Sequence, residues 1–540
     1  MNQRKTRAGT AAALCLAFAS AFIVPAEAQE KRTSITDIVV SGNTLLPQSA
    51  IDSAIAPFRG ERTAAELKRA AAAVQALYRD AGYGAVVAFV PEQSLSAGRL
   101  QISVLEGRVS RVVVFGNRQF SAENVRRSVP SLLEGQTPRI KAIDADVQMA
   151  NENPARLLAV TLEEGQRPGE VDARVAVTED PVSRYIFSLD NTGNKQTGRL
   201  RLGAAYQNAS LWDRDHQLTA QIQVSPDKLS AVDIVSVSYR VPFYKAGLTM
   251  LAYATVSNVD GGSTATAAGA LQFNGKGRVL GLQGTRVLQR LGEFEQRVSL
   301  AVDQRVFINN CAIEGLPPGA CGAAGESVTI HPLTLGYDTK RPGDRAANLS
   351  VALSVNLALG GPHGSEADFE AARPGAPRRY SVLRASGGMV IPVARDWLVN
   401  LRATAQSTSN PLVAGEQFGL ASTGVVRGYQ EREIVADSGA AASVELVFPA
   451  LFVPPLGDDP AAFNGVRFLG FFDTSFAKNS DSATCNGSRT RCTLSAIGVG
   501  ARFTVSGSQW KVDLAQALDT ARETKRGDIK LHFSARYVFP

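Results

Sequence analysis

The final two-thirds of the chain alternates apolar and polar residues with a period of two, and this pattern restricts its fold more than any other feature. Leu531, Phe533, Ala535, Tyr537 and Phe539 alternate with His532, Ser534 and Arg536. Val298, Leu300 and Val302 alternate with Arg297, Ser299 and Asp303, and Val235, Val237, Tyr239 and Val241 with Ser236, Ser238 and Arg240. Successive side chains of a strand point to opposite faces, so each run is a strand with one apolar and one polar face. A soluble sandwich would bury the apolar face in its core. A transmembrane barrel would turn that face to lipid and line a watery lumen with the other. Alternation by itself fits both.

The N-terminus favours the barrel. Arg4, Lys5 and Arg7 precede an apolar core from Ala11 to Val24, and Ala26-Glu27-Ala28 is a small-x-small cleavage site. Residues 1–28 therefore read as a secretory signal, with Gln29 starting the mature chain and 29–34 a short lead-in. No later stretch approaches the roughly 20 apolar residues of a membrane helix. The formal charge of +7 falls to +5 once the signal's three basic residues and Glu27 are gone. No Lys/Arg-rich stripe is present, so nucleic acid is not an expected partner.

Turn and strand parity over residues 183–540 predicts sixteen antiparallel strands. Short turns at 211–215, 290–293 and 394–396 should face the periplasm. Long loops at 309–327, 360–378 and 479–491 should face outward. The alternation requires residues 264–273 to belong to the third outer excursion or to extend the strand before it. Four cysteines remain after processing, in two close pairs inside polar or Gly/Pro-rich loops. Two local disulfides, Cys311–Cys321 and Cys485–Cys492, are the economical reading in an exported protein. The four scattered histidines offer no metal-site spacing, and no metal is expected.

Between the signal and the barrel the periodicity changes. A strand at 35–40 is followed by helical spacing over 46–58 and 64–80, then strands at 86–90 and 100–105. The same order begins again with a strand at 112–115, helices at 122–128 and 140–151, and strands at 157–163 and 171–178. Gly42-Asn43 and Gly116-Asn117 occupy matching positions. A repeat of this kind points to two copies of one α+β module, at 35–107 and 108–180.

Here the residues carry a family resemblance. Tyr78, Gly82-Tyr83, Pro91, Leu100-Gln101-Ile102 and Glu106-Gly107 resemble the first POTRA module of two-partner secretion transporters. Pro130, Glu134-Gly135, Asn153-Pro154, Val171 and Val175 are similar to the second. Leu189-Asp190-Asn191-Thr192-Gly193, Thr197-Gly198 and Arg201 resemble the opening hairpin of their barrels. With the features below, the resemblance spans nearly all of the mature chain. It implies an α+β periplasmic POTRA pair followed by an all-β, 16-stranded antiparallel transmembrane barrel in the outer membrane.

The tetrad Val426-Arg427-Gly428-Tyr429 lies within 408–437, the loop after the eleventh strand. Phe471-Phe472-Asp473 lies on the thirteenth, where periodicity turns Phe471 and Asp473 to the lumen and Val466, Phe468, Phe472 and Phe476 to lipid. In the family such a loop folds into the barrel, and its arginine contacts that aspartate. The resemblance therefore implies that Arg427 pairs with Asp473, that Gly428 permits a tight tip, and that Tyr429 and Phe471 pack beside it. Two departures stand out. Family members often carry a plug helix before the first module, for which 29–34 leaves no room, so closure would rest on the loop. The chain also ends Phe539-Pro540, whereas the assembly signal of such barrels usually ends on the aromatic.

The implied function is transport. An unfolded exoprotein of large β-helical type would be captured in the periplasm, where an open module edge can accept an extended client by β-augmentation, and be passed to the cell surface. Outer-membrane lipid and, during biogenesis, the barrel-assembly machinery are the other expected partners. No catalytic constellation, nucleotide loop or cofactor motif is evident, and Glu431 and Glu433 read as solvated loop residues. An insertase of the same superfamily, or a passive porin or adhesin, are the alternatives.

Overall fold

The computed structural model describes residues 32–95, 98–193, 198–229, 233–266, 269–308, 326–421, 424–451, 463–481 and 483–540. The signal at 1–28 and the pair Cys311–Cys321 lie outside the described residues.

The first module is a three-stranded sheet in the order Asp37–Ser41, Arg99–Glu106, Val86–Phe89, its first pair parallel and its second antiparallel. Helices Gln48–Ile55 and Ala64–Asp80 cover one face. Alternation along the strands buries Ile38, Val86, Leu100 and Ile102, while helical spacing buries Ile51, Leu67, Ala71, Val74 and Tyr78. Thr63 and Glu66 form a reciprocal capping box at the start of the longer helix. The expected strand at 35–40 is instead two. Thr33–Ile35 pairs with Gly60–Arg62, and Asp37–Ser41 pairs with Arg99–Ser103. The break falls at Thr36, where the amides of Thr36 and Asp37 both donate to the Gly98 carbonyl (2.8 and 3.3 Å) and the chain changes partners.

The second module repeats the plan, with Arg108–Phe115 parallel to Glu170–Glu179 and Arg156–Glu164 antiparallel beside it. Helices Ala122–Ser128 and Ile140–Ala150 accompany the sheet. The repeat extends to a polar joint. Asn43 Nδ2 donates to the Leu46 carbonyl and Asn117 Nδ2 to that of Phe120, both at 2.9 Å. Glu106 accepts from the amides of Thr44 and Leu45, and Glu179 from those of Arg118, Gln119 and Phe120.

The barrel closes with sixteen antiparallel strands, from Ser183–Asp190 to Ile529–Phe539, whose ladder runs from Ser534↔Asp190 to Phe539↔Tyr185. Pro540 lies one residue past that ladder, where its missing N–H removes no bond. The eighth strand is interrupted at His331, so Val328–Ile330 and Pro332–Arg341 both pair with the seventh, Phe294–Ile308. Parity holds because residues 264–266 and 269–273 extend the fifth and sixth strands, Leu248–Thr266 and Gly269–Leu291, which pair with each other along this length. The expected alternation is realised on the wall. Val235, Val237, Leu300, Val444, Phe468, Phe472 and Phe476 are exposed outward, whereas Ser236, Ser238, Ser299, Ser443 and Asp473 are buried.

The second module is fastened to the periplasmic turns of this barrel by a buried arginine. Arg156 Nη2 lies 2.6 Å from Asp215 Oδ2, and their side chains are 0% and 1% exposed. Tyr244 OH also donates to Asp215 (2.6 Å), Asn124 and Asn153 donate to its other oxygen, and Phe120 covers the guanidinium at 4.9 Å. Asp215 sits in the turn after the second strand, where Trp212, Asp213 and Asp215 all have positive φ. Such left-handed residues cost of order 1 kcal/mol each and persist when their surroundings dictate them. Here Asn124 and Arg127 hold the Asp213 carbonyl at 2.7 Å each. Glu152, at the end of the module's second helix, pairs with Arg240 and Arg297 on two more strands.

Candidate functional site

Between the eleventh strand, Trp397–Ser407, and the twelfth, Ser438–Val447, the chain leaves the wall and turns into the lumen. A short 3-10 turn, Ala414–Glu416, starts the excursion, and Phe418–Gly419 pairs with Val435–Ala436 to hold its two legs together. The tip carries Val426 to Tyr429. Val426 and Tyr429 are 1% and 2% exposed, packed among Ala441, Ala477, Leu494, Ala496 and Ala517. Small side chains on the lumenal face of the wall leave the volume the tip fills, which is close packing rather than a loop adrift in water.

Arg427 is 1% exposed. Its Nε and Nη2 reach Asp473 Oδ2 and Oδ1 at 2.8 and 2.9 Å, a bidentate fork, and its own amide donates to Oδ2 at 3.1 Å. Nη1 reaches Glu445 Oε1 at 2.8 Å and lies 3.5 Å from Asp513 Oδ2. Ser443 Oγ accepts from Nη2 at 3.2 Å and donates to Asp473 at 2.7 Å. The guanidinium carbon stands 3.4 Å from the centre of the Phe471 ring, a stacked cation–π contact. Phe471 finds room because Gly498 faces it across the strand pair; a Cβ there would come 2.3 Å from the ring.

Charges balance in this part of the lumen. Arg402 pairs with Glu445 (2.7 Å) and Arg502 with Asp513 (2.8 Å), so each of three carboxylates has its own guanidinium. Such full pairing is what makes burial of an arginine tolerable. Gly428, with φ of 90°, turns the backbone so that its amide donates to His532 Nε2 at 2.9 Å. That bond needs a neutral imidazole carrying its proton on Nδ1. Tyr429 OH donates to the Ser495 carbonyl (2.7 Å), and Lys530 Nζ donates to the Tyr429 carbonyl (2.8 Å). The tip thus touches five consecutive strands, the twelfth to the sixteenth.

The structure brings Arg427, Gly428 and Tyr429 together with Phe471 and Asp473. Ser443, Glu445, Asp513 and His532 complete the site without having been singled out in the sequence; their only signal was a lumen-facing position. Cys485 and Cys492 are bonded, both buried against the tip's packing cluster at the mouth of the thirteenth and fourteenth strands. Glu433, expected to be solvated, is half-buried and accepts from the amides of Glu523 and Thr524 and from the Thr524 hydroxyl. The burial follows from the loop's inward course, which brings this leg against the chain between the last two strands. Among the described residues no His/Cys/Asp/Glu group has metal-site geometry.

Comparison with known proteins agrees with this architecture. Residues 33–107 match the ShlB-type POTRA domain. The outer membrane transporter CdiB of Escherichia coli is 26% identical over 442 residues, covering 78% of this chain and 70% of that protein. The solved structure of CdiB from Escherichia coli superposes with a TM-score of 0.77 at 18% identity, covering 95% of this chain and 92% of that one. CdiB from Acinetobacter baumannii gives 0.69 at 16% identity, covering 94% and 90%. Residues 169–461, more than half the chain, match the haemolysin secretion/activation proteins ShlB/FhaC/HecB. The chain belongs to that family, the two-partner secretion transporters, whose members sit in the outer membrane with their POTRA modules in the periplasm and act with a secreted exoprotein.

Proposed function

We propose that the loop 408–437 is the gate of this transporter and that Arg427–Asp473 is its latch. The cargo would be a large, β-helical exoprotein delivered unfolded to the periplasm. It would be captured by the modules at 35–107 and 108–180 and passed through the barrel to the surface. The observation that carries this reading is the buried fork of Arg427 on Asp473, in a loop that crosses the lumen. A pair on the solvent surface would be worth well under about 1 kcal/mol, but removing one partner of a buried pair costs about 3–5 kcal/mol. The latch is therefore strong enough to hold one closed arrangement, and charge-dependent enough to be displaced by a chain that competes for the lumen.

Cargo movement needs a driving force, and folding of the β-helix outside the cell would supply it by removing translocated chain from the equilibrium. The sheet of the first module ends in two edge strands, Asp37–Ser41 and Val86–Phe89. An extended client segment can add to such an edge with main-chain hydrogen bonds and little dependence on sequence. Insertion of the barrel would itself need the barrel-assembly machinery, and the exposed outward residues of the wall would contact outer-membrane lipid. The test is Arg427→Ala in cells carrying a cognate exoprotein. Secretion should fall while the barrel still shows heat-modifiable gel migration; normal secretion by a correctly inserted variant would refute the latch.

A further inference from the structure

The same loop is held on the far side of the lumen by a second buried charge. Glu416, 2% exposed, closes the 3-10 turn at the loop's entry. Arg305 Nη1 donates to its Oε1 and Arg384 Nη2 to its Oε2, each at 2.8 Å. Gln406 Nε2 donates to its main-chain carbonyl at 2.8 Å. Arg305 is braced in turn by Asp303, whose Oδ2 lies 2.6 Å from its Nη2. Gly415, the preceding residue, lies so close to Phe307 that a Cβ would stand 2.5 Å from the ring. Leu412 and Val413 sit in a cluster with Ile330, Phe369, Tyr380 and Val382.

Arg305 is on the seventh strand and Arg384 on the tenth, Ser381–Ala394. Asp473 is on the thirteenth, six strands round from Arg305 in a ring of sixteen. The loop therefore crosses the lumen between two buried charge sites on different arcs of the wall. A cavity of about 620 Å³, lined by Arg305, Arg384, Glu416, Val425 and Arg432, lies beside it.

We propose that Glu416 is a second positioning residue of the gate, clamped by Arg305 and Arg384, so that the loop is a crossbar fastened at both ends. The proposal rests on the reading of the loop as the gate. A bar held only at its tip could swing on its entry leg; one held at both ends must lose both charge sites to clear the lumen. Glu416 is a carboxylate because two guanidiniums from separated strands converge there. A neutral side chain would leave Arg384 facing Arg305 with Asp303, already engaged by Arg305, as the carboxylate between them.

The test uses the full-length protein in planar bilayers, comparing wild type, Glu416→Gln, Glu416→Asp, the pair Arg305→Gln/Arg384→Gln, and Arg427→Ala. Heat-modifiable migration reports whether each barrel has formed. Loss of either anchor should raise the fraction of time spent in a large-conductance state by roughly a hundredfold or more, the shift expected when a buried pair is broken. Glu416→Asp should restore part of the closure, since it keeps the charge at a shorter reach. If Arg427→Ala opens the pore while Glu416→Gln and Arg305→Gln/Arg384→Gln conduct like wild type, the second anchor is overturned and the tip latch stands. If no variant opens it, the gate reading fails and takes the second anchor with it. If neither anchor variant forms a barrel, Glu416 belongs to assembly rather than gating, and the proposal is overturned.

Discussion

Two buried arginines each tie separate parts of this molecule together, and their surroundings differ in a way that separates a joint from the proposed latch. Arg156, at the junction of the second module and the barrel, pairs with Asp215 among Phe120, Val125, Ala209 and Tyr244. Among the described residues Arg156 is the cation paired with Asp215, so withdrawing the guanidinium would leave a buried carboxylate held by the neutral donors Tyr244, Asn124 and Asn153 alone. Arg427 sits in a polar lumen where its neighbours are already provided for. If it leaves, Glu445 keeps Arg402, Asp513 keeps Arg502, and only Asp473 loses its partner, with the Ser443 hydroxyl still bound. The two pairs have similar geometry and different settings, a packed domain joint for one and a polar lumen for the other. Burial makes both strong; the polar lumen around Arg427 is what would make one reversible.

The largest expected effect tests the joint. Arg156→Ala should cost about 3–5 kcal/mol, because it leaves Asp215 buried without its cation. Limited proteolysis should then separate the second module from an intact barrel near residues 180–183; resistance equal to wild type would break the comparison. Arg427→Ala comes next. Its cost to barrel unfolding should be clearly smaller than that of Arg156→Ala, although its effect on pore opening and secretion is large. Equal losses of thermal stability would show that the tip is a structural joint as well. Gly428→Ala should follow at about 1–2 kcal/mol, since a residue with a Cβ is strained at a φ of 90°. Its Cβ would also meet that of Ala515 at 3.4 Å. A conductance intermediate between wild type and Arg427→Ala would place backbone shape within the latch. Tyr429→Phe should be the mildest, about 1 kcal/mol for the lost bonds to Ser495 and Asp519. A slightly raised opening frequency in bilayers would register it, and an effect as large as that of Arg427→Ala would overturn the ranking.

Much of the fold could be read from local pattern. Strand faces follow from period two, and the count of sixteen followed from turn parity once the fifth and sixth strands were allowed to be long. The helix Ala64–Asp80 has the bounds its spacing indicates, and the strand expected at 35–40 broke at Thr36 because the Gly98 carbonyl, more than sixty residues away, diverts the chain. The outer helix Glu366–Ala372 went unread within a loop expected to be irregular. It is seven residues long, and its capping box at Ser365 and Asp368 is a short-range signal easily lost among charged neighbours.

The candidate site divides in the same way. Arg427 and Asp473 stand in a short motif and on a strand of clear periodicity, and the family resemblance implied their meeting. Glu445, Asp513, His532 and Glu416 are each one of many polar residues that period two turns inward. Which of them converge depends on register and barrel closure: Ser443 faces Asp473 and Glu445 faces Phe471 only in the pairing observed. Gly428 and His532 are 104 residues apart in sequence, and the closed wall brings them to hydrogen-bonding distance. Which faces are apolar and where the chain turns were legible in the residues themselves, because these properties repeat over a few positions, whereas the meeting of a charged loop with a lumenal carboxylate was implied by the family resemblance. The tertiary structure alone decided that the loop is gripped at both ends, because that grip arises from charges on separated strands which only the closed barrel brings to face one another.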